Sequence, residues 1–88
     1  MKAEPGSKLR LLAEIAGWYG TGAIVGAYLM VSMDVINGAG WVFQILNLTG
    51  ALGLIGIAYL KGLRQNVVLN LFWAAIGILA ILRLLGVI

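Results

Sequence analysis

Three carboxylates and a small set of amides are the residues of this sequence that could carry chemistry. The acids are Glu4, Glu14 and Asp34, and carboxylates would be needed for general acid–base catalysis or for proton-coupled transport. All three lie outside or at the edge of the apolar runs, so none is expected at the bilayer midplane. The chain of 88 residues contains no Cys and no His. It therefore has no thiolate nucleophile, no disulfide and no imidazole ligand for zinc or haem.

The remaining signatures of enzymes and nucleic-acid-binding proteins are also missing from the sequence. It contains no Ser/His arrangement and no phosphate-binding glycine loop. The net charge of +3 is small, and the basic residues do not form the stripe that nucleic-acid binding requires. We therefore expect a non-enzymatic protein with no covalent or metal cofactor and no nucleic-acid partner.

The composition indicates a membrane protein. Hydrophobic residues make up 62% of the chain, and charged residues only 10%, whereas an average soluble domain is about a quarter charged. A soluble chain this short could not bury so much apolar surface, because small domains leave a large share of their surface in water. Membrane lipids are therefore the first expected partner.

Charged residues divide the apolar sequence into three runs, at about 15–33, 41–60 and 67–88. Each run has about 19 to 22 residues, or roughly 28–33 Å of helix, which matches a hydrocarbon core near 30 Å. The predicted fold class is all-α: an integral membrane three-helix bundle formed by a single domain over 15–88. A basic interfacial segment, 1–14, precedes it, with Ser7 as a possible N-cap. This segment either extends the first helix or lies flat among the headgroups.

Basic residues predict the orientation of the bundle in the membrane. They occur in two segments, one before the first run and one between the second and third, and these residues are Lys2, Lys8, Arg10, Lys61 and Arg64. The loop 34–40 has no Lys or Arg. Because basic residues favour the cytoplasmic side, the N-terminus is expected in the cytoplasm and the C-terminus on the opposite side.

Three further residues are predicted to mark the membrane interfaces. Trp18 and Trp41 lie near the ends of their runs, where tryptophan is enriched in membrane proteins. Arg83 is the only charged residue within a run. Its long side chain either reaches the membrane surface from one turn inside or pairs with an acid of a partner protein.

Small residues indicate close helix packing. Gly22 and Gly26 form a GxxxG pair in the first run, while Gly50 and Gly53 lie in the second. In lipid, such residues allow two helix backbones to approach closely. The Gly22–Gly26 pair packs within its own bundle, mediates dimerisation or docks a larger partner, and the sequence leaves these alternatives open.

Polar side chains within the apolar runs predict contacts between helices. Gln44 and Asn47 lie one turn apart in the second run, and Asn70 and Trp73 share one stripe of the third. Intramembrane amides usually hydrogen-bond to a neighbouring helix. Because Asn47 and Asn70 should differ in depth by about 15 Å, we do not expect them to form one site. Each should form its own hydrogen-bonded contact with a neighbouring helix, which we call an interhelical clasp. Trp73 is expected to pack in the bundle or against a partner.

Two stretches resemble a family of small, uncharacterised bacterial three-helix membrane proteins. The residues that carry the resemblance are 43–51, with the sequence FQILNLTGA, and 68–73, with the sequence VLNLFW. Gly20 and Tyr28 fit the same pattern. The resemblance covers about residues 17–80, and it implies a three-helix fold in the bacterial inner membrane.

The three-helix plan, with a short basic loop before a helix that carries Asn70, is also similar to bacterial half-transporters of the SWEET/PQ-loop type. That resemblance implies a parallel homodimer around a solute pathway, with Asn70 and Trp73 as the residues to test.

The chain is similar as well to three-helix accessory polypeptides of large bioenergetic complexes, including the reaction-centre–light-harvesting cores of purple bacteria. This resemblance implies a subunit that packs against a larger complex near its quinone path and contacts lipid or quinone. An accessory or assembly subunit is the leading hypothesis, and the homodimeric half-transporter is the alternative.

Overall fold

Three helices joined by two short connections make up the computed structural model, which describes residues 7–88. The helices are α1 (Ser7–Ser32), α2 (Trp41–Leu60) and α3 (Arg64–Leu84). Each is long and apolar enough to cross a membrane. The prediction of an all-helical chain with three helices of spanning length is therefore confirmed.

The first helix begins well before the predicted apolar run. α1 is continuous from Ser7, so residues 7–14 extend the helix and do not lie apart from it. Lys8 and Arg10 are exposed on its first turns. Residues 1–6 of the predicted interfacial segment, which include Lys2, lie outside the described residues.

All three helices end in the same type of turn, with one residue in the left-handed conformation. Asp34 (φ 59°), Gly62 (φ 70°) and Gly86 (φ 76°) occupy this position. In each case the following residue donates its N–H to a carbonyl five residues earlier, as in a Schellman motif. For α3 this bond runs from the Val87 N–H to the Leu82 carbonyl at 3.0 Å. The predicted extension of the third helix to residue 88 is therefore wrong, since the turn at Gly86 ends it at Leu84.

The second helix lies between the other two. Both α1 and α3 pack against α2, but no Cα atom of α1 lies within 8 Å of one in α3 among the described residues. On α2, Gly50 contacts α1, whereas Leu48 and Asn47 lie next to Gly77 of α3. The two outer helices therefore occupy different faces of α2 and leave a cleft between them.

Small residues bring the backbones of α1 and α2 together. A Cβ atom added to Gly20 would overlap the carbonyl oxygen of Gly50, and one added to Gly53 would overlap that of Ala16. On α1, the buried residues of this face are Gly17, Gly20, Ala23 and Ala27. In a membrane this close approach replaces the hydrophobic drive with dispersion contacts along the interface.

This packing predicts opposite effects for two glycines of the same helix. Gly20→Ala should lower the free energy of unfolding by about 1–3 kcal/mol, because the new methyl group forces the two backbones apart. Gly22→Ala should leave it unchanged or raise it by up to about 1 kcal/mol, since alanine favours helix and nothing lies within 4 Å of that position. Denaturation in mixed micelles with increasing SDS, followed by circular dichroism, measures both. Equal stability of the two variants would contradict the packing described above.

Candidate functional site

The GxxxG pair of α1 lies on the outer surface of the fold. Nothing lies within 4 Å of a Cβ atom placed on Gly22 or on Gly26. Successive residues of a helix are rotated by about 100°, so Gly22 points nearly opposite to Gly20, the residue that contacts α2. The alternative in which this pair packs within its own bundle is therefore wrong. Dimerisation and docking to a larger partner remain.

The pair belongs to a stripe that we call the outer face of α1. Ile15, Trp18 and Leu29 share this side of the helix with the two glycines, and each is more than half exposed. Apolar exposure alone is ordinary for a helix in lipid. Two features distinguish this face. No side chain covers the backbone at Gly22 and Gly26, and Trp18 lies next to them; tryptophan is often an energetically important residue in protein interfaces.

The cleft between α1 and α3 is the second notable surface. It contains two open cavities of about 180 and 240 Å³, both lined by Leu54 and Ile57 of α2 and by Lys61, which follows α2. The smaller cavity is completed by α1 residues, which are Glu14, Gly17, Trp18 and Thr21. The larger is completed by Ala58 together with residues from the α2–α3 connection and α3, which are Leu63, Asn66 and Asn70.

An ion pair links α1 to the end of α2 at the mouth of this cleft. The Lys61 Nζ lies 3.0 Å from the Glu14 Oε1, and the two side chains are 45% and 40% exposed. An ion pair this exposed contributes little to stability. It does, however, place the first turns of α1 and the α2–α3 connection at the same end of the molecule, as the predicted topology requires.

Asn70 does not form the predicted clasp to another helix. Its side chain is buried, and its Nδ2 donates to the carbonyl oxygen of Asn66 at 2.9 Å, one turn earlier in α3. The expectation of an interhelical hydrogen bond at this position is therefore wrong, because the carbonyl of its own helix lies within reach. Asn70 contributes its polar surface to the larger cavity of the cleft instead.

The two amides of α2 also differ from the expected pattern. Gln44 is buried, and its Nε2 donates to the carbonyl oxygen of Gly38 in the α1–α2 connection at 3.3 Å. Asn47 is buried beside Gly77 of α3, yet its side chain makes no hydrogen bond within residues 7–88 in the structure. The second predicted clasp is therefore wrong as well, although Asn47 does lie in the α2–α3 interface.

A side-chain hydrogen bond between Tyr19 of α1 and Thr49 of α2 was not predicted from the sequence. The Tyr19 hydroxyl lies 2.7 Å from the Thr49 Oγ1, and Thr49 Oγ1 also lies 2.7 Å from the Ile45 carbonyl oxygen, to which it donates. Because threonine carries a single hydroxyl proton, Tyr19 is the donor to Thr49. Thr49 lies two residues after Asn47 in an apolar run, and this polar residue was the feature of the sequence that could have indicated the contact.

The remaining predicted residues do not join a common site. Trp41 opens α2 and is 43% exposed, and Arg83 is exposed in the last turn of α3. Trp73 is half-buried on α3. Gly50 and Gly53 of α2 pack against α1, as predicted for close helix packing.

Comparison with known proteins assigns the chain to a family. A family model matches residues 13–86, which is most of the chain and includes all of α2 and α3. The chain belongs to this uncharacterised family. No curated protein and no solved structure matches it. The comparisons thus give no support to the similarity with SWEET/PQ-loop half-transporters or with photosynthetic accessory polypeptides.

The Tyr19–Thr49 contact leads to a prediction about stability. Tyr19→Phe should lower the free energy of unfolding by about 0.6 kcal/mol and by no more than about 1.7 kcal/mol, the range for interhelical hydrogen bonds in membranes. Tyr59→Phe is the matched control, since the Tyr59 side chain is 74% exposed. The SDS titration described above measures both variants, and a larger loss for Tyr59→Phe would refute the assignment.

Proposed function

We propose that this protein is a non-enzymatic accessory or assembly subunit of the bacterial inner membrane that packs against a larger membrane complex. The observation that carries the proposal is the outward position of Gly22 and Gly26. A Cβ atom added to either glycine would meet nothing within 4 Å, whereas one added to Gly20 of the same helix would overlap the backbone of α2.

The division of glycines on α1 supports docking of another helix. Because glycine has no side chain, a glycine pair at this spacing allows the backbone of a second helix to approach closely. The exposed Trp18 lies on the same face one turn earlier and supplies a large contact area. A partner helix that crosses α1 at Gly22–Gly26 would gain close backbone packing without any change in the α1–α2 interface.

The basic residues support the proposed orientation. Lys8 and Arg10 lie at the start of α1. The Glu14–Lys61 ion pair lies at the same end as the α2–α3 connection and Arg64, the first residue of α3. The proposed cytoplasmic location of this end follows from the preference of basic segments for that side. The C-terminus, after α3, would then lie on the opposite side.

The partner complex should dissociate when the outer face of α1 is made bulky. We expect the double variant Gly22→Leu/Gly26→Leu to lose at least nine-tenths of the co-purifying partner, because two leucine side chains prevent backbone approach. The measurement is affinity purification of the tagged chain from native membranes in a mild detergent, with mass spectrometry of the associated proteins.

Gly56→Leu serves as the control for this experiment. Gly56 is an exposed glycine of α2 with nothing within 4 Å, so the substitution adds the same bulk to a different outer surface. It should retain the partner at the wild-type level. An unchanged complex with the double variant would argue against the outer face of α1, and a wild-type particle of two copies alone would argue against an accessory subunit.

A homodimeric half-transporter is the alternative function, and one observation favours it. Asn70 is buried and lines the larger cavity of the cleft, where a polar group could contact a solute. Against it, the only proline of the chain is Pro5, so no Pro-Gln pair exists. The accessory role therefore ranks first.

The half-transporter alternative predicts a loss of flux in a single variant. Asn70→Ala should abolish solute uptake by proteoliposomes while the helical circular dichroism stays unchanged, because the cavity loses its buried polar group. Gln65→Ala, an exposed amide outside the two cavities of the cleft, should transport as the wild type does. Wild-type proteoliposomes that take up none of a panel of radiolabelled sugars and amino acids would eliminate this alternative.

A further inference from the structure

The mouth of the cleft combines two opposite charges with an apolar floor. Glu14 and Lys61 form the ion pair on the rim of the smaller cavity, and Leu54 and Ile57 line the space between α1 and α3. A polar rim above an apolar surface is complementary to a lipid, whose headgroup and acyl chain follow one another in the same order.

We propose that the cleft binds a phospholipid whose headgroup carries both an ammonium group and a phosphate, as that of phosphatidylethanolamine does. The ammonium group donates to the Glu14 carboxylate, and the phosphate accepts from the Lys61 ammonium. The upper part of an acyl chain lies along Leu54 and Ile57. This site shares Trp18 with the outer face of α1 but does not include Gly22 or Gly26. The charges of Glu14 and Lys61 and the two glycines are substituted separately, so the failure of this proposal can be distinguished from the failure of the proposed function.

The charge of the pair decides the class of headgroup. Lys61 is already neutralised by Glu14 at 3.0 Å, so the rim does not attract a purely anionic headgroup as an isolated lysine would. A zwitterion presents the opposite charge to each member of the pair, and such complementarity governs specificity at polar interfaces.

Both members of the pair keep free hydrogen-bonding capacity. A lysine ammonium has three donor hydrogens and a carboxylate has about four acceptor positions, and one contact at 3.0 Å uses a single donor and a single acceptor. With 45% and 40% of their side chains exposed, Lys61 and Glu14 can each bind a headgroup without breaking their own contact. Choline has no N–H, so a phosphatidylcholine headgroup would lack the hydrogen bond to Glu14.

Trp18 lines the smaller cavity and provides a local probe. In a variant with Trp41→Phe and Trp73→Phe, Trp18 is the only tryptophan. The experiment reconstitutes this variant in phosphatidylcholine vesicles that contain equal mole fractions of one acyl-brominated lipid, whose bromines quench nearby tryptophan. Quenching by brominated phosphatidylethanolamine should exceed that by brominated phosphatidylcholine or phosphatidylglycerol at least twofold. A variant that keeps only Trp41, at the opposite end of α2, should show no such difference.

Substitutions of the ion pair test the role of its charges. Glu14→Gln frees Lys61 and should move the preference to the anionic phosphatidylglycerol. Lys61→Gln should reduce quenching by brominated phosphatidylethanolamine to the phosphatidylcholine level. The exchange Glu14→Lys/Lys61→Glu keeps a neutral pair and should restore the original preference. Lys8→Gln, a basic residue outside the cleft, should have no effect.

Two results of the quenching experiments would overturn the proposal. One is equal quenching of Trp18 by the three brominated lipids, and the other is an unchanged preference in Glu14→Gln. Native mass spectrometry of the unsubstituted chain provides a measurement independent of folding defects in the variants. It should detect one tightly retained phosphatidylethanolamine from an equimolar lipid mixture, and retention of phosphatidylglycerol in its place would also refute the proposal.

Discussion

The approach of α1 to α2 through backbone atoms is the contact on which the rest of this structure depends. At Gly20 and Gly53 the neighbouring carbonyl oxygens occupy the space that a side chain would need. Helices in lipid gain no hydrophobic free energy by leaving it, so association depends on how closely their surfaces fit. Because α1 is held on this face of α2, α3 packs on another, and the cleft lies between the two outer helices.

The small residues of α1 are divided between two faces with different uses. Gly17, Gly20, Ala23 and Ala27 are buried, while Gly22 and Gly26 face outward, where an added Cβ atom would meet nothing within 4 Å. A helix that needed only internal packing could carry larger apolar residues on its outer face, where they would contact lipid. The outward glycines are therefore the basis for proposing a partner helix in the membrane.

Two of the three buried amide side chains donate hydrogen bonds to carbonyl oxygens close to them in the sequence. Asn70 donates to its own helix and Gln44 to the adjoining connection, which avoids the cost of an unpaired amide in an apolar environment. The Tyr19–Thr49 hydrogen bond and the Glu14–Lys61 ion pair both join α1 to the second half of the chain. The ion pair lies near one end of the helices, and the exposure of both side chains is the basis for proposing that it binds a lipid headgroup.

Composition and the positions of the charged residues were enough to predict the three apolar spans, the helix over residues 41–60, and the lack of histidine and cysteine chemistry. These features follow from composition and run length, because an apolar run of about 20 residues is long enough to form a helix that spans a bilayer. The end of α3 could also have been inferred from Gly86, but the apolar residues that follow it masked the signal.

The faces on which the helices meet could not be predicted from the sequence. The spacing of Gly22 and Gly26 suits a close contact as well as that of Ala16 and Gly20, and helices that are apolar on all sides have no periodicity to separate inside from outside. The hydrogen-bond partner of Asn70 could not be predicted either, because the Asn66 carbonyl of its own helix competes with any acceptor on a neighbouring helix. The cleft and its ion pair arise from residues far apart in the chain, which meet only when α1 packs against α2.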